Sequence, residues 1–375
     1  MFEQSNRAKQ YATRTYIFVI VSTLYQGALS LIFLYSGGSA WLARYLNNVF
    51  GTSGLALSAF ILIFFAGAYL LQFPLVFYQS FVQEHTFALS KQTLGDWILD
   101  QVKSGILLYV FFVILASVFY WMIGHYHSSW WLFVSLFWIV FSLLLARLAP
   151  IILIPLFFKY KAVSDSALKA RIIKLAERMR IAILDVFEIN FSKKTLKANA
   201  ALVGWGKTRR ILLADTLQTH YTHDEIEVIL AHEFAHYRQK HLLKLLLMHA
   251  LVVVGSCYLM YVTNSKVLEF FRIGSLSDLA SFPVVLLYGM VIGVVLTPLE
   301  NLQSRRFEIE ADRVAVKETG LQNAFVSLME KLASQNLADR NPHPLIKLFF
   351  FDHPPIDERI ALALKDDIGE LVNSR

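Results

Sequence analysis

Six apolar runs, each close to the roughly 20 residues that a helix needs to cross a bilayer, constrain this chain more than anything else in it. They fall near residues 15–36, 55–79, 104–123, 129–149, 243–263 and 282–300. No water satisfies the backbone inside a bilayer, so runs of this length must be helices and the chain is expected to be mainly α. Composition agrees: of 375 residues, 56% are hydrophobic and 17% charged, too apolar for an ordinary soluble enzyme of that length. The net charge of +7 is spread through the connections between runs, where it serves anchoring and topology rather than nucleic-acid binding. The single cysteine, Cys257, lies inside an apolar run, so no intrachain disulfide is expected. The first run is long and lacks a small-x-small site directly after it, and is read as a retained span. Pro74, Pro283 and Pro298 lie in or at the ends of runs, where they kink or terminate helices.

Lysine and arginine set the orientation. Arg7, Lys9 and Arg14 precede the first span, Arg44 alone follows it, and Lys91 and Lys103 fall in or near the second connection. The connection around Gly124 to His127 has none, whereas 150–242 carries many, among them Lys159, Lys161, Lys169, Arg171 and Lys174. The positive-inside rule then puts the N-terminus, the 150–242 region and the C-terminal tail on the cytoplasmic side. The chain divides into spans 1–4 (1–149), a first extramembrane segment (150–242), spans 5–6 (243–300) and a second extramembrane segment (301–375). Two spans separate the segments, so they return to one face and can build one site.

Chemistry enters with Ile229-Leu-Ala-His-Glu-Phe-Ala-His-Tyr237, an H-E-x-x-H motif. Residues four apart share a helix face, so His232 and His236 can grip one metal ion while Glu233 stands beside it as general base. Two neutral imidazoles suit zinc, one ion per chain, completed by a third protein ligand and a water. Thr222-His-Asp-Glu225 reads as a capping box that starts this helix. The third ligand is expected after the sixth span. There Glu308 and Asp312 stand four apart on a helix expected to end near Gly320, Glu308 as ligand and Asp312 holding a ligand imidazole by its other nitrogen. Glu310, between them, points elsewhere.

Three further segments bear on the site. A helix is expected after Ser164-Asp-Ser-Ala167, and a short strand over Val186–Asn190. Ala198–Val203, the turn Gly204-Trp-Gly206 and Arg210–Leu213 read as a hairpin. Its edge could pair with an extended peptide, or the sheet could simply pack on the catalytic helix. His353, ahead of Pro354 and Pro355, and Arg359 could donate to the oxyanion on a scissile carbonyl; equally, this could be a surface loop whose arginine pairs with Asp357 or Glu358.

Taken together, His232 to His236, Ser304-Arg-Arg-Phe-Glu-Ile-Glu-Ala-Asp312 and His353-Pro-Pro-x-x-x-Arg359 resemble the type 1 CAAX prenyl protease family of integral-membrane zinc endopeptidases. Similarity extends to Glu84–Thr93, to Ala149–Phe157, to Asn199-Ala200 and to Asp215–Leu217. The more distant HtpX-type membrane proteases share the metal motifs but are shorter. The resemblance implies a barrel of six or seven spans around a water-filled chamber, capped by a gluzincin-like zinc protease domain with a small β-sheet. It also implies that Glu308 binds zinc, that His353 and Arg359 lie near the reacting carbonyl, and that Asn199 and Ala200 border the substrate cleft. That family is usually drawn with seven spans, whereas six are counted here. The expected activity is endopeptidase cleavage of prenylated CAAX-type or other hydrophobic, membrane-associated peptides, in a bacterial inner membrane or the endoplasmic reticulum. Two alternatives stand beside it: an HtpX-like quality-control protease, and a metal-binding transporter or scaffold without hydrolysis.

Overall fold

A computed structural model describes residues 2–204 and 209–373. Six of its helices are long and apolar enough to cross a membrane. The first span is α1 (Phe2–Tyr35), followed by the 13-residue α2 (Gly38–Phe50). The second is α3 (Gly54–Phe77), which runs through a π-helical turn (Tyr78–Gln83) into α4 (Glu84–Thr86). Pro74 has no N–H to give the helix, and the widened turn begins four residues beyond it. The third span is α5 (Leu94–His125); the fourth is α6 (Trp130–Leu148), which passes through a second π-helical turn at Ala149–Leu153 into α7 (Ile154–Phe157).

Among the described residues, four strands and three α-helices follow these spans before the last two. They are β1 (Tyr160–Ala162), α8 (Ser166–Arg178), β2 (Asp185–Ile189), β3 (Ala200–Val203), β4 (Arg210–Ala214), α9 (Asp215–His220) and α10 (His223–Arg238), all between the fourth and fifth long apolar helices. The sheet has the order β1-β2-β4-β3, with β2 and β4 parallel and the other pairs antiparallel. The expected hairpin is β3 and β4, with Ala200 opposite Leu213; Trp205 and Gly206 of its turn lie outside the described residues. Asp165 caps α8 by accepting the Leu168 N–H at 2.9 Å, and Leu168, Ile172 and Leu175 bury one face of that helix. They share a core with Val186, Ile211 and Leu213 from the sheet, Leu230 and Phe234 from α10, and Phe325. Burying each of these large side chains contributes about 1.5–3 kcal/mol.

The fifth span is α11 (His241–Phe270) and the sixth lies in α12 (Phe282–Thr319), followed by α13 (Gln322–Gln335), α14 (Pro344–Phe350) and α15 (Ile356–Asn373). The apolar run ends near 300 and the helix bearing Glu308 and Asp312 ends at Gly320 as expected, but the two are not separate elements. The helix instead continues unbroken for 38 residues and stops only at Gly320, whose φ of 68° is left-handed. Such a helix is about 57 Å long against a hydrocarbon core of about 30 Å, so its second half leaves the bilayer carrying Glu308 and Asp312 with it. Pro283 sits in its first turn and Pro298 in its interior.

Contacts fix the two ends of the span bundle. At one end, α2 packs near the turn before α12, with Ser39 Oγ donating to Ala280 O at 2.8 Å, over a core of Leu42, Leu46, Phe60, Ile61 and Phe282. At the other, Arg7 Nη2 donates to Phe87 O at 2.6 Å and Tyr11 Oη to Glu84 Oε1 at 2.6 Å. Lys197 Nζ donates to Tyr11 Oη at 2.9 Å, and Ser90 Oγ to Lys194 O at 2.7 Å. The start of α1, the α4–α5 connection and the first extramembrane segment therefore meet at one end of the spans.

Candidate active site

The helix that carries H-E-x-x-H begins where it was expected to. Thr222 Oγ1 accepts the Glu225 N–H and the Glu225 carboxylate accepts the Thr222 N–H, closing the capping box. Glu225 is buried, and it also receives Lys331 Nζ at 2.7 Å and Ser327 Oγ at 2.6 Å from α13. Burial pushes its carboxyl up, but hydrogen bonds from Lys331, Ser327 and the Thr222 N–H outweigh that and hold it below its ordinary range. The cap thereby pins α10 to α13.

α10 packs along the second half of α12. Ala231 and Ala235 on one helix, and Ala311 and Ala315 on the other, are completely buried, and such small side chains allow helices a close approach. Across that seam His232 Nε2 and His236 Nε2 lie 3.0 Å apart. Glu308 Oε2 is 3.2 Å from the first and Glu308 Oε1 3.2 Å from the second. Tetrahedral coordination at 2.0–2.2 Å places ligand atoms about 3.3 Å apart, so the three side chains fit one metal ion. Glu308 Oε2 supplies an independent test. It is buried and receives no hydrogen bond from the described residues, although His232, His353 and Arg359 lie within 3.2, 3.3 and 3.8 Å of it. An orphaned carboxylate oxygen is costly, and a divalent ion is what would satisfy it.

Asp312, one turn beyond Glu308, holds His232 from behind, its Oδ1 2.8 Å from Nδ1. Burial opposes charge on that imidazole, but Asp312 and Glu308 prevail and push its pKa up to about 9. A metal ion binding here has to displace a proton. Arg359 in turn grips Asp312 with two donors, Nη2 to Oδ1 at 2.6 Å and Nε to Oδ2 at 2.8 Å. It was expected beside the reacting carbonyl or in a surface pair. The surface pair does not form: Arg359 is buried, 3.8 Å from Glu308, and Asp357 and Glu358 pair with Arg340 and Lys347. His353 stands at the rim, Nδ1 2.9 Å from Asp352 and Nε2 3.3 Å from Glu308. Burial alone would lower its pKa, but those two carboxylates raise it.

Glu233 makes no hydrogen bond or ion pair with the described residues, and burial raises its carboxyl. Together with His236 it lines a groove of about 1180 Å³ that also touches Leu202 on β3, Gly204, Arg209 and Tyr237. β3 is an edge of the sheet and also packs against α10. Asn199 O accepts the Ala214 N–H at 3.0 Å, and Ala200 opens the strand.

One residue escaped the sequence reading. His241 Nδ1 lies 3.0 Å from His236 Nδ1, and its Nε2 3.1 Å from Glu310 Oε2. A histidine five residues after a ligand has no helical signal. It arrives here because Lys240 adopts a left-handed φ of 57° and starts a new helix. Glu310 does point away from Glu308, and this is where it goes.

A helical multi-pass membrane protein with two histidines and a carboxylate converging on one point, and beside them a buried glutamate with no hydrogen bond among the described residues, has the makings of a membrane-embedded metallopeptidase. Comparison with known proteins agrees. Residues 2–159 match the family model described as CAAX prenyl protease N-terminal, five membrane helices, and residues 163–366 match peptidase family M48. Within the first match, four helices here are long enough to span and α2 has 13 residues. The chain is 33% identical over 285 residues to the uncharacterized metalloprotease YhfN of Bacillus subtilis, covering 75% of this chain and 67% of that one. It is 30% identical over 311 residues to CAAX prenyl protease 1 of Saccharomyces cerevisiae, covering 78% and 68%. The crystal structure of S. mikatae Ste24p superposes with a TM-score of 0.87 at 24% identity, over 96% of this chain and 89% of that one. The chain belongs to peptidase family M48, in the type 1 CAAX prenyl protease family, and is an integral-membrane metalloendopeptidase acting on peptide or protein substrates.

Proposed function

We propose that the chain is a zinc endopeptidase that cleaves CAAX-type, prenylated or otherwise hydrophobic peptides at the membrane surface. The observation that carries this reading is the His232, His236 and Glu308 cluster with the buried Glu233 carboxylate beside it, which makes no hydrogen bond or ion pair with the described residues. Zinc bound there would supply a Lewis acid for the scissile carbonyl and acidify a water to near neutrality. Glu233 takes that water's proton and delivers it to the leaving amine nitrogen, a task suited to a carboxylate raised by burial. His353, at the rim and held by Asp352, donates to the developing oxyanion. Asp312 fixes the tautomer of His232, and Arg359 fixes Asp312.

The substrate backbone extends along β3, with Asn199 and Ala200 at the start of the cleft and side chains entering the groove. Membrane access and the naming of several relatives as CAAX prenyl proteases support a lipid-modified or apolar peptide. The excess of lysine and arginine at the site's end of the spans supports a cytoplasmic-facing centre, in a bacterial inner membrane or the endoplasmic reticulum. Family membership decides against the transporter or scaffold.

The substrate is tested with purified protein, a farnesylated CAAX peptide and its unmodified counterpart. Farnesyl-dependent cleavage supports a CAAX-processing enzyme. Equal cleavage of both would replace it with a general endopeptidase of apolar peptides.

A further inference from the structure

The two ligand histidines are supported differently. His232 has a carboxylate directly on Nδ1, in Asp312. On His236 the same atom meets a second imidazole, His241, and only then a carboxylate, Glu310. We propose that His241 and Glu310 act as a positioning relay that sets the tautomer and ring orientation of His236, completing a carboxylate-backed pair of ligands.

Proton positions follow from the connections. If Nε2 of His236 faces the metal, its proton resides on Nδ1 and is donated to His241 Nδ1. His241 then carries its own proton on Nε2 and donates it to Glu310 Oε2. Every nitrogen in the chain has one role, and reversing any bond would put a proton where the ion binds. The ring is also fixed mechanically. His241 is 1% exposed and stacks on Phe307, with centroids 4.2 Å apart and an interplanar angle of 11°. Phe307 and Glu310 belong to α12, the helix that supplies Glu308. One helix therefore carries the third ligand and both supports of the relay, while the left-handed Lys240 brings His241 back to them.

The proposal rests on the metal-site reading above, so the test separates the two. Zinc and cobalt(II) dissociation constants are measured by chelator competition for the parent protein and for Glu308→Ala, His241→Phe and Glu310→Ala. The cobalt absorption spectrum and the melting temperature of the metal-free protein are recorded beside them. Binding by the parent that Glu308→Ala abolishes upholds the site itself; equal binding by both would refute that site and the relay with it. Given the site, the relay predicts about 10–100-fold weaker metal binding in His241→Phe, which keeps the stack on Phe307, with an altered cobalt spectrum. Glu310→Ala, at a half-exposed position that folding tolerates, should weaken binding in the same direction with an unchanged metal-free melting temperature. Binding within twofold of the parent in both relay variants would overturn the proposal, and so would a loss in Glu310→Ala matched by an equal loss of fold.

Discussion

At the scale of single residues, the site is a set of buried charges that make sense only together. Asp312 and Arg359 are both under a tenth exposed, and removing either takes the bidentate partner of the other's buried charge away, leaving Asp312 with His232 alone or Arg359 with Glu308 at 3.8 Å. Arg359→Met should therefore destabilise the metal-free protein by about 3–5 kcal/mol, read from thermal melting in detergent. Asp312→Asn keeps an acceptor for His232 but loses the charge that balances Arg359. Metal affinity should fall about 10–100-fold in chelator competition, and unchanged affinity would mean that Asp312 serves folding alone. Much of this set was legible beforehand because it obeys helical spacing: His232 with His236, and Glu308 with Asp312, are each one turn apart. The partnership of Arg359 with Asp312 was not, since it joins residues 47 positions apart whose meeting depends on how α15 packs on α12. His241 was hidden for a local reason, a break in the helix at a lysine with no turn signature.

Elements explain why those residues meet. The capping box at Thr222 was readable from four letters, yet its tie to α13 through Lys331 and Ser327 was not. Breaking that tie tests its weight: Lys331→Met leaves a buried carboxylate without its cation and should cost about 3 kcal/mol. The pH dependence has a definite sign. The Glu225 carboxyl is depressed in the folded protein, so its contribution is present above the ordinary carboxylate range and is lost as pH falls through the depressed value. Melting temperatures measured from neutral to acidic pH should show this loss in the parent and a flatter acid limb in Glu225→Gln; parallel curves would show that the network carries no such linkage. α12 is the element whose extent the sequence disguised. Apolarity ends near 300, but helicity does not, because nothing before Gly320 breaks it. The apolar span and the ligand-bearing stretch are thus one continuous helix.

For the whole molecule, the six long apolar helices serve to deliver two segments separated in sequence to one end. That arrangement predicts sidedness. In a Cys257→Ala background, Lys193→Cys at the site's end and Ser277→Cys at the far end should react with an impermeant maleimide from opposite faces of sealed vesicles. Labelling of both from one face would contradict the span count. The central claim is that one protein-bound metal and the Glu233 carboxylate together hydrolyse a peptide bond, and it is tested most directly by measuring metal content and peptide cleavage on the same preparations of parent and Glu233→Gln. Parent and variant should each hold about one metal per chain, with chelator-sensitive cleavage in the parent and a fall of about 10²–10⁴-fold in the variant. Cleavage by Glu233→Gln at the parental rate, or loss of its metal along with its activity, would contradict it.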